Sequence, residues 1–320
     1  MKINVLKKEK INRIDDLVSS YEFHDFCTYG VLDKNILKEY LINQISHSLE
    51  GDKNLVLVAE DKKKIVGLAI IDFLPWDSRI FKIKMGKLSY LISKGGYTGA
   101  VRIKNILLAK ILDMCKKGHF THLNCRIDIE DMSGMHILEK SGFKIMDTTV
   151  TFVFNREKHK IPLLRPIYKV RKYEKKDLSC ITKIAKAAFS KDRFHLDPFL
   201  PEERSDSLYA EWVKNSSRKD RVFVAIDSSN HPVGFFTYKL YEDLALISNY
   251  KIMGNNGLMA VAASARGAII GLMKAVFEDV ILNYDCVEFY TQISNREVVR
   301  LFQKFNLDFI KARHTFHKWI

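Results

Sequence analysis

The chain contains an internal repeat. The segment "LVLVAEDKKKIVGLAII" at 55–71 is echoed by "RVFVAIDSSNHPVGFFT" at 221–237, and "HILEKSGFKIMDTTVTFVF" at 136–154 is echoed by "RLFQKFNLDFIKARHTFHKW" at 300–319. Both pairs are offset by about 165 residues, which is longer than the roughly 20–50 residues of a solenoid repeat. An offset of this size is typical of a duplicated domain. The sequence therefore predicts two copies of one fold.

Each copy has the same predicted order of elements: helices, an antiparallel hairpin, a strand, a glycine-bearing loop, a helix, a strand, a helix and a final strand. This order predicts an α/β protein of the α+β type, with a mixed, mostly antiparallel central sheet flanked by helices in each copy. The segment 156–166 is charged and contains two prolines, so it is predicted to be a linker. The predicted domains are residues 1–155 and 167–320.

Composition excludes several classes of protein. The 320 residues are 47% hydrophobic, but no apolar run approaches the roughly 18 residues of a membrane span, and "MKINVLKKEK" lacks the apolar region of a signal peptide. A cytoplasmic protein without a membrane partner is expected. The five cysteines are scattered, and "HTFH" (314–317) and "HFTH" (119–122) do not supply a ligand set, so no metal site is predicted. The net charge of +14 suits an anionic partner, but its lysines are dispersed, and nucleic acid is not expected.

A second stretch, "LMAVAASARGAIIGLM" at 258–273, predicts a strand that turns through small residues into an amphipathic helix. The first N–H groups of such a helix are unpaired, and its dipole favours an anion there. Gly267 would let a phosphate approach closely, and Arg266 could add a charged contact. The alternative is a tight connection that binds nothing. The Walker and dinucleotide-binding glycine patterns are both absent.

Two motifs resemble those of the GNAT superfamily of acyl-CoA-dependent N-acyltransferases. "SARGAIIGLM" resembles the turn that holds the coenzyme A pyrophosphate, and "TQISNREVVRLFQKFNL" resembles the following motif, with Asn295 on its asparagine. The resemblance implies two tandem GNAT folds, a working second copy, and acetyl-CoA or another short acyl-CoA as the donor. The cofactor-binding residues that it implies are Leu258, Met259, Ala260, Val261, Arg266, Gly267, Ala268, Ile269, Ile270, Gly271, Asn295 and Phe302.

Two further stretches, "LPWDSRIF" (74–81) and "SKDRFHLDPFLPEERSDSLYAEWVKNS" (190–216), resemble the dTDP-fucosamine acetyltransferases. Those enzymes acetylate the amine of a nucleotide-linked deoxysugar. The resemblance implies a small-molecule amine acceptor, a nucleotide-linked amino sugar, bound by Arg193, Asp197, Tyr209 and Trp212. The alternative for Tyr209 and Trp212 is a structural role, since they lie three apart on a predicted helix.

The first copy departs from the coenzyme A motifs. Its glycines, Gly95, Gly96 and Gly99, are predicted to precede the helix, and Arg102 aligns with Gly267. Asp131 aligns with Asn295, which would place a carboxylate near a phosphate-rich ligand. The first copy is therefore predicted to be scaffolding that closes one side of the acceptor cleft.

The general acid of the superfamily, a tyrosine, is replaced by Phe302. Three explanations stay open: Tyr290, Tyr250 or His314 takes over; a thiol with a pKa near 8.5 leaves without an acid; or the activity is lost. Glu242 is a candidate water-mediated base, although a carboxylate in the hairpin predicted there can also be merely exposed.

The predicted function is transfer of an acetyl or short acyl group to an amino sugar. The alternatives are a tandem acyltransferase for another amine, of the aminoglycoside or mycothiol-precursor type, and a catalytically silent binding module. The sequence leaves a homodimer open.

Overall fold

The computed structural model describes residues 1–254 and 257–320. These residues form two units: Met1–Thr149 with Lys311–Ile320, and Val150–Ile310. The first unit thus includes the last ten residues of the chain, whereas the repeat had assigned them to the second predicted domain. The reason lies in the pairing of the last strand, which could not be read from local sequence.

The first unit contains six strands and five helices of its own within the described residues, in the order β1 (Lys2–Val5), α1 (Asp15–Ser19), α2 (Lys34–Glu50), β2 (Leu55–Asp61), β3 (Lys64–Phe73), α3 (Pro75–Phe81), β4 (Met85–Ser93), α4 (Tyr97–Lys117), β5 (His122–Asp128), α5 (Met132–Lys140) and β6 (Lys144–Asn155). Short 3-10 turns cover Lys8–Ile14 and Cys27–Tyr29. The end of β6 belongs to the second unit.

The sheet of the first unit has the order β1-β2-β3-β4-β5, followed by the final strand of the chain, β13 (Asp308–Trp319), and then β6. Residues 313–319 of β13 pair antiparallel with β5, which explains why the chain's end lies in this unit. β4 and β5 are parallel, whereas β1 to β4 are antiparallel neighbours. Buried residues of α4 and α5, such as Leu107 and Leu138, form one core with the sheet, and α1 and α2 close the other side of β2 and β3.

The second unit has the elements β7 (Lys169–Lys172), α6 (Leu178–Ala188), α7 (Glu202–Lys219), β8 (Arg221–Ile226), β9 (Pro232–Tyr238), α8 (Glu242–Ser248), β10 (Ile252–Met253), β11 (Leu258–Val261), α9 (Ala268–Asn283), β12 (Cys286–Gln292) and α10 (Arg296–Lys304), with 3-10 turns at Lys175–Asp177 and Ala263–Ala265. β6, β12 and β10 are neighbours in that order, and a separate sheet has the order β11-β9-β8-β7.

The predicted fold class, a mixed sheet flanked by helices and duplicated along the chain, is confirmed. The hairpin β2–β3 corresponds to β8–β9, and in each hairpin the repeated glycine faces an alanine: Gly67 faces Ala59, and Gly234 faces Ala225. Gly67 makes room for α4, since an added Cβ would lie 2.4 Å from Ile103, whereas at Gly234 an added Cβ would lie 2.8 Å from Val261 on the neighbouring strand β11. The pair α5–β6 also matches α10 and β13 in length and order.

Two local predictions were wrong. α4 begins at Tyr97, so Gly99 lies inside its first turn, and Arg102 is an exposed helical residue that does not block the turn. Glu242 begins a helix, α8, and does not lie in a hairpin.

None of the helices among residues 1–254 and 257–320 combines the length and the apolar character that a membrane-spanning helix requires.

We expect Asp177, at the start of α6, to stabilise the folded protein at neutral pH and to lose this effect in acid. Burial alone would raise the pKa of its carboxyl, but the bidentate hydrogen bonds from Arg171, at 2.7 and 2.9 Å, and the Glu174 N–H hold it below the ordinary value. A lowered folded-state pKa gives stability above about pH 4 that is lost as the pH falls further. Asp177→Asn should lower the denaturant midpoint at pH 7, and the difference from wild type should shrink towards pH 3. A difference that persists at pH 3 would contradict this assignment.

Candidate functional site

The strands β11 and β12 diverge in the second unit. β10 pairs in parallel with the start of β12, but β11, only four residues further along the chain, pairs with β9 in the other sheet. The chain leaves β12 at Gly254, whose φ of 126° is accessible to glycine and where an added Cβ would lie 2.9 Å from the backbone oxygen of Glu288. As a result β11 and β12 lie in different sheets, and the space between these two strands is called the β11–β12 gap.

Tyr290 spans the β11–β12 gap. Its hydroxyl donates a hydrogen bond of 2.6 Å to the carbonyl oxygen of Gly257, immediately before β11. Tyr290 also contributes to the raised pKa of Tyr209, which comes first from burial and then from the charge of Asp192. Of the predicted catalytic residues, Tyr290 is therefore the one that lies at this gap.

The turn after β11 leads into α9, whose first residue is Ala268 and whose N-cap is Gly267. No acidic residue lies in the first turn of α9, so its N-terminal dipole is not neutralised from within the helix. Arg266 is exposed, whereas Ala268 and Gly271 are buried and Ile269 and Ile270 are half-buried. The uncompensated helix dipole and the exposed Arg266 both favour an anion at the start of α9.

One side of this helix start is already packed. A Cβ on Gly267 would lie 3.0 Å from Cδ1 of Ile167, and one on Gly271 would lie 3.0 Å from the carbonyl oxygen of Tyr168. The glycines therefore serve close packing against the segment before β7. This contact is a structural reason for the glycines in addition to any ligand.

The second motif lies beside the first. Asn295 is the N-cap residue of α10, and the Arg266 guanidinium lies 3.8 Å from the carboxylate of Glu297 in the first turn of α10. Both side chains of this ion pair are exposed, so it adds little stability. It does show that the starts of α9 and α10 are neighbours.

The predicted strand residues differ in what they offer. Leu258 and Ala260 are buried, while Met259 and Val261 are partly exposed. The N–H of Leu258 donates to Oγ1 of Thr237 at 3.0 Å, so it is already used within the protein. Thr237 was not singled out from the sequence, since nothing local indicates which side chain reaches a distant backbone group.

Phe302 lies in the core. Its side chain is 1% exposed, and its ring packs against Phe152 and Phe289 at centroid distances of 5.4 and 5.5 Å. A hydroxyl at this position would be buried among aromatic rings. The phenylalanine is thus explained by packing, whatever the chemistry of the site.

The predicted acceptor residues are largely buried. Asp197 is 2% exposed and accepts the N–H of Phe199, and Tyr209 is 6% exposed and stacks on Phe189 at 4.2 Å. Trp212 stacks parallel to Tyr209, and Arg193 lies over the ring of Phe194. These contacts give Tyr209 and Asp197 clear structural roles within the second unit.

A histidine that the sequence analysis missed organises this segment. The ring of His195 contacts Asp192 through Nδ1 at 2.6 Å and Asp206, on α7, through Nε2 at 3.2 Å. Asp192 also accepts the N–H of Phe194. His195 therefore fastens the loop before α7 to that helix. The spacing of three residues between Asp192 and His195 was only a weak signal of this role. The second partner, Asp206, lies 11 residues further along the sequence, where no local pattern connects it to His195.

The other two predicted catalytic residues lie elsewhere. Glu242 lies at the exposed start of α8. Burial raises the pKa of Asp220, which follows α7, and the charge of Glu242 adds to this rise. His314 belongs to the first unit, where its Nδ1 lies 2.8 Å from the hydroxyl of Thr148.

In the first unit the corresponding strands and helix starts are arranged in a similar way, but they carry a buried ion pair. β4 and β5 stop pairing after Leu88, and Asp131 is the N-cap of α5, as Asn295 is of α10. Only three residues separate β4 from α4, against six between β11 and α9. Lys104, which is 3% exposed, donates to both carboxylate oxygens of Asp131 at 2.6 Å. A cavity of about 320 Å³ lies here, bordered by Lys94–Tyr97 and Glu130–Ser133.

No family model matches the chain. The spore coat polysaccharide biosynthesis protein SpsD of Bacillus subtilis (strain 168) is 18% identical over 294 residues, which cover 90% of this chain and 96% of that protein. Among solved structures, a GCN5-related N-acetyltransferase from Sphaerobacter thermophilus has a TM-score of 0.64 at 13% identity and covers 99% of this chain and 95% of its own. A tandem GNAT protein from the clavulanic acid biosynthesis pathway has a TM-score of 0.57 at 11% identity, covering 99% and 98%.

These similarities cover nearly the full length of each protein compared. They agree with the duplicated hairpins and with the neighbouring starts of α9 and α10 in the second unit. The chain therefore has the fold of the GCN5-related N-acetyltransferases, in two copies.

Proposed function

We propose that the chain is an acyl-CoA-dependent N-acyltransferase that transfers an acetyl or short acyl group to the amine of an amino sugar, in nucleotide-linked form. The observation that carries this proposal is the separation of β11 from β12, which is bridged by the hydrogen bond from Tyr290 to Gly257, in the unit where β11 leads into α9. The likeness to a polysaccharide biosynthesis protein supports a sugar as the acceptor.

The second unit supplies two parts of this chemistry. The start of α9, with Gly267 and the exposed Arg266, would hold the diphosphate of the acyl donor through N–H groups and the helix dipole. The β11–β12 gap would admit its acyl-bearing arm. Asn295, at the start of α10, and the partly exposed strand residues Met259 and Val261 would contact the same donor.

The reaction joins the amine nitrogen to the thioester carbonyl carbon and breaks the carbon–sulfur bond. The amine loses a proton to solvent water, and the departing thiolate gains one. Tyr290 holds a hydroxyl proton at the gap, where it now bonds to Gly257, and we assign to it the proton that the sulfur receives. Arg193 would pair with the phosphates of the acceptor.

The test is release of free thiol when the purified chain is mixed with acetyl-CoA and a set of amino sugars, free and nucleotide-linked. Release is expected with a nucleotide-linked amino sugar and not without an amine. Binding of coenzyme A without thiol release from any amine would instead support a binding module.

Tyr290→Phe should lower kcat by roughly 10²- to 10⁴-fold, because the acid for the departing sulfur is lost, while the KM for the acceptor changes little. Tyr284→Phe, in the same unit next to Arg221, is the matched control and should leave the rate unchanged. An undiminished kcat in Tyr290→Phe would show that sulfur leaves without help from this residue.

A further inference from the structure

One peptide group of the second unit is held at both ends by side chains. The carbonyl oxygen of Gly257 accepts a hydrogen bond of 2.6 Å from the hydroxyl of Tyr290. The N–H of Leu258, which belongs to the same peptide group, donates to Oγ1 of Thr237 at 3.0 Å. The two ends of a trans peptide point in opposite directions. This peptide group therefore turns its oxygen towards β12 and its N–H towards β9.

The backbone beside this peptide group is closely packed on β9. The N–H of Gly257 donates to the carbonyl oxygen of Gly254 at 3.0 Å, and a Cβ on Gly257 would lie 2.7 Å from the carbonyl oxygen of Thr237. Only glycine allows so close an approach. A rotation that moved the Gly257 oxygen away from Tyr290 would also take the Leu258 N–H away from Thr237. The two hydrogen bonds of the peptide group are thus coupled.

Thr237 is suited to fix this orientation. Its side chain is 0% exposed, and the residue is in register with Leu258 across the β9–β11 pair. A β-branched side chain has few rotamers, so its oxygen keeps its place. A buried N–H without an acceptor is costly to a folded protein, which favours the orientation in which Leu258 reaches Thr237. Thr237 therefore restrains the peptide group that holds Tyr290.

The restraint bears on the chemistry of Tyr290. A backbone carbonyl oxygen only accepts, so it bonds the phenol only while the phenol carries its proton. In the proposed reaction the sulfur takes this proton as the carbon–sulfur bond breaks, and the phenolate regains a proton from solvent water. The rate of such a step depends on placement, since an error of about 1 Å can cost about 10²-fold.

We propose that Thr237 is a positioning residue for the proton transfer from Tyr290. Its hydroxyl holds the Gly257–Leu258 peptide group, and the oxygen of that group holds the hydroxyl of Tyr290 at the β11–β12 gap. The role rests on the proposed function, in which Tyr290 supplies the proton that the sulfur receives. Thr237 acts through the peptide group and not on the substrate.

The test is a double-mutant cycle on the full chain, with thiol release from acetyl-CoA and dTDP-4-amino-4,6-dideoxy-D-galactose as the readout. Thr237→Val keeps the shape of the side chain and removes its oxygen. It should lower kcat by roughly 10- to 100-fold and leave the KM for the acceptor nearly unchanged. In a Tyr290→Phe background the same change should slow the reaction by less than about twofold, because the hydroxyl that Thr237 positions is already absent.

Thr237→Ser restores the oxygen and should keep at least about half of the wild-type kcat. Thr182→Val is the matched control: Thr182 lies on α6, its hydroxyl has no hydrogen-bond partner within the described residues, and the change should alter neither kcat nor KM. Thermal unfolding and calorimetry with coenzyme A check that each variant is folded. Thr237→Ala, which also lacks the hydroxyl, replaces Thr237→Val if valine is not tolerated.

Three results would overturn the role of Thr237: an unchanged kcat in Thr237→Val, the same fold-loss with and without the Tyr290 hydroxyl, or a loss in Thr237→Ser as large as in Thr237→Val. The first two would leave the proposed function intact, because the wild type is active in both cases. A wild type that releases no thiol with any amino sugar would reject the proposed function and this role together.

Discussion

Replacing Gly267 with tryptophan is expected to weaken the binding of coenzyme A at least about 100-fold. If the N–H groups at the start of α9 hold the diphosphate, a large side chain at the N-cap keeps the phosphates away, and two charge-assisted hydrogen bonds are enough for a loss of this size. Calorimetry with coenzyme A measures the loss. The measurement does not depend on knowing the acceptor.

The matched control is Gly96→Trp in the first unit. Gly96 is the N-cap of α4, as Gly267 is of α9, and a Cβ there would meet no atom of the described residues within 4 Å. At Gly267 the new side chain must displace Ile167, whose 80% exposure lets it move, and thermal unfolding would detect any wider damage. Equal losses in the two variants, or none at Gly267, would reject the assignment of the coenzyme site to the second unit.

The fold could be predicted because its signals are local and repeated. Apolar runs mark the hairpins of both copies, and the two glycines that face Ala59 and Ala225 occupy the same position in each. Asp131 was also aligned with Asn295, and the two residues do occupy the same N-cap position of the helix that precedes the long last strand of each copy. Because the pattern occurs twice in the chain, the interpretation of one copy could be checked against the other.

The candidate site could be predicted only in part, because its details depend on pairing across long distances in the chain. The exchange of the last strand into the first unit rests on pairing between β5 and β13, some 190 residues apart in sequence, and no local pattern encodes it. Arg102 was misaligned because the loop before α4 is three residues shorter than the loop before α9. The capture of the Leu258 N–H by Thr237 was equally invisible.

The first copy's departure from the coenzyme motifs has a physical cause that the sequence analysis did not identify. Asp131 is neutralised by Lys104, whose ammonium also lies 2.9 Å from the hydroxyl of Ser133. The same carboxylate accepts the N–H of Gly134 and so caps α5. One buried ion pair thus fastens α4 to the start of α5. When the buried faces of the two long helices are matched, Lys104 corresponds to Met273, so the second copy has Met273 and Asn295 in place of the lysine and the aspartate.

Lys104→Ala is expected to destabilise the protein by about 3–5 kcal/mol, because it leaves the carboxylate of Asp131 buried without its cation. The double variant Lys104→Met/Asp131→Asn should recover most of this loss, since it removes both charges, keeps a capping side chain and reproduces the second copy's pair. Lys117→Ala, which removes an exposed pair with Asp113 at the end of the same helix, should leave the stability nearly unchanged. Denaturant unfolding at pH 7 measures all three. If the double variant were no more stable than Lys104→Ala, the ion pair would be doing more than neutralising a buried charge, and the geometry it imposes on α4 and α5 would be what the first unit requires.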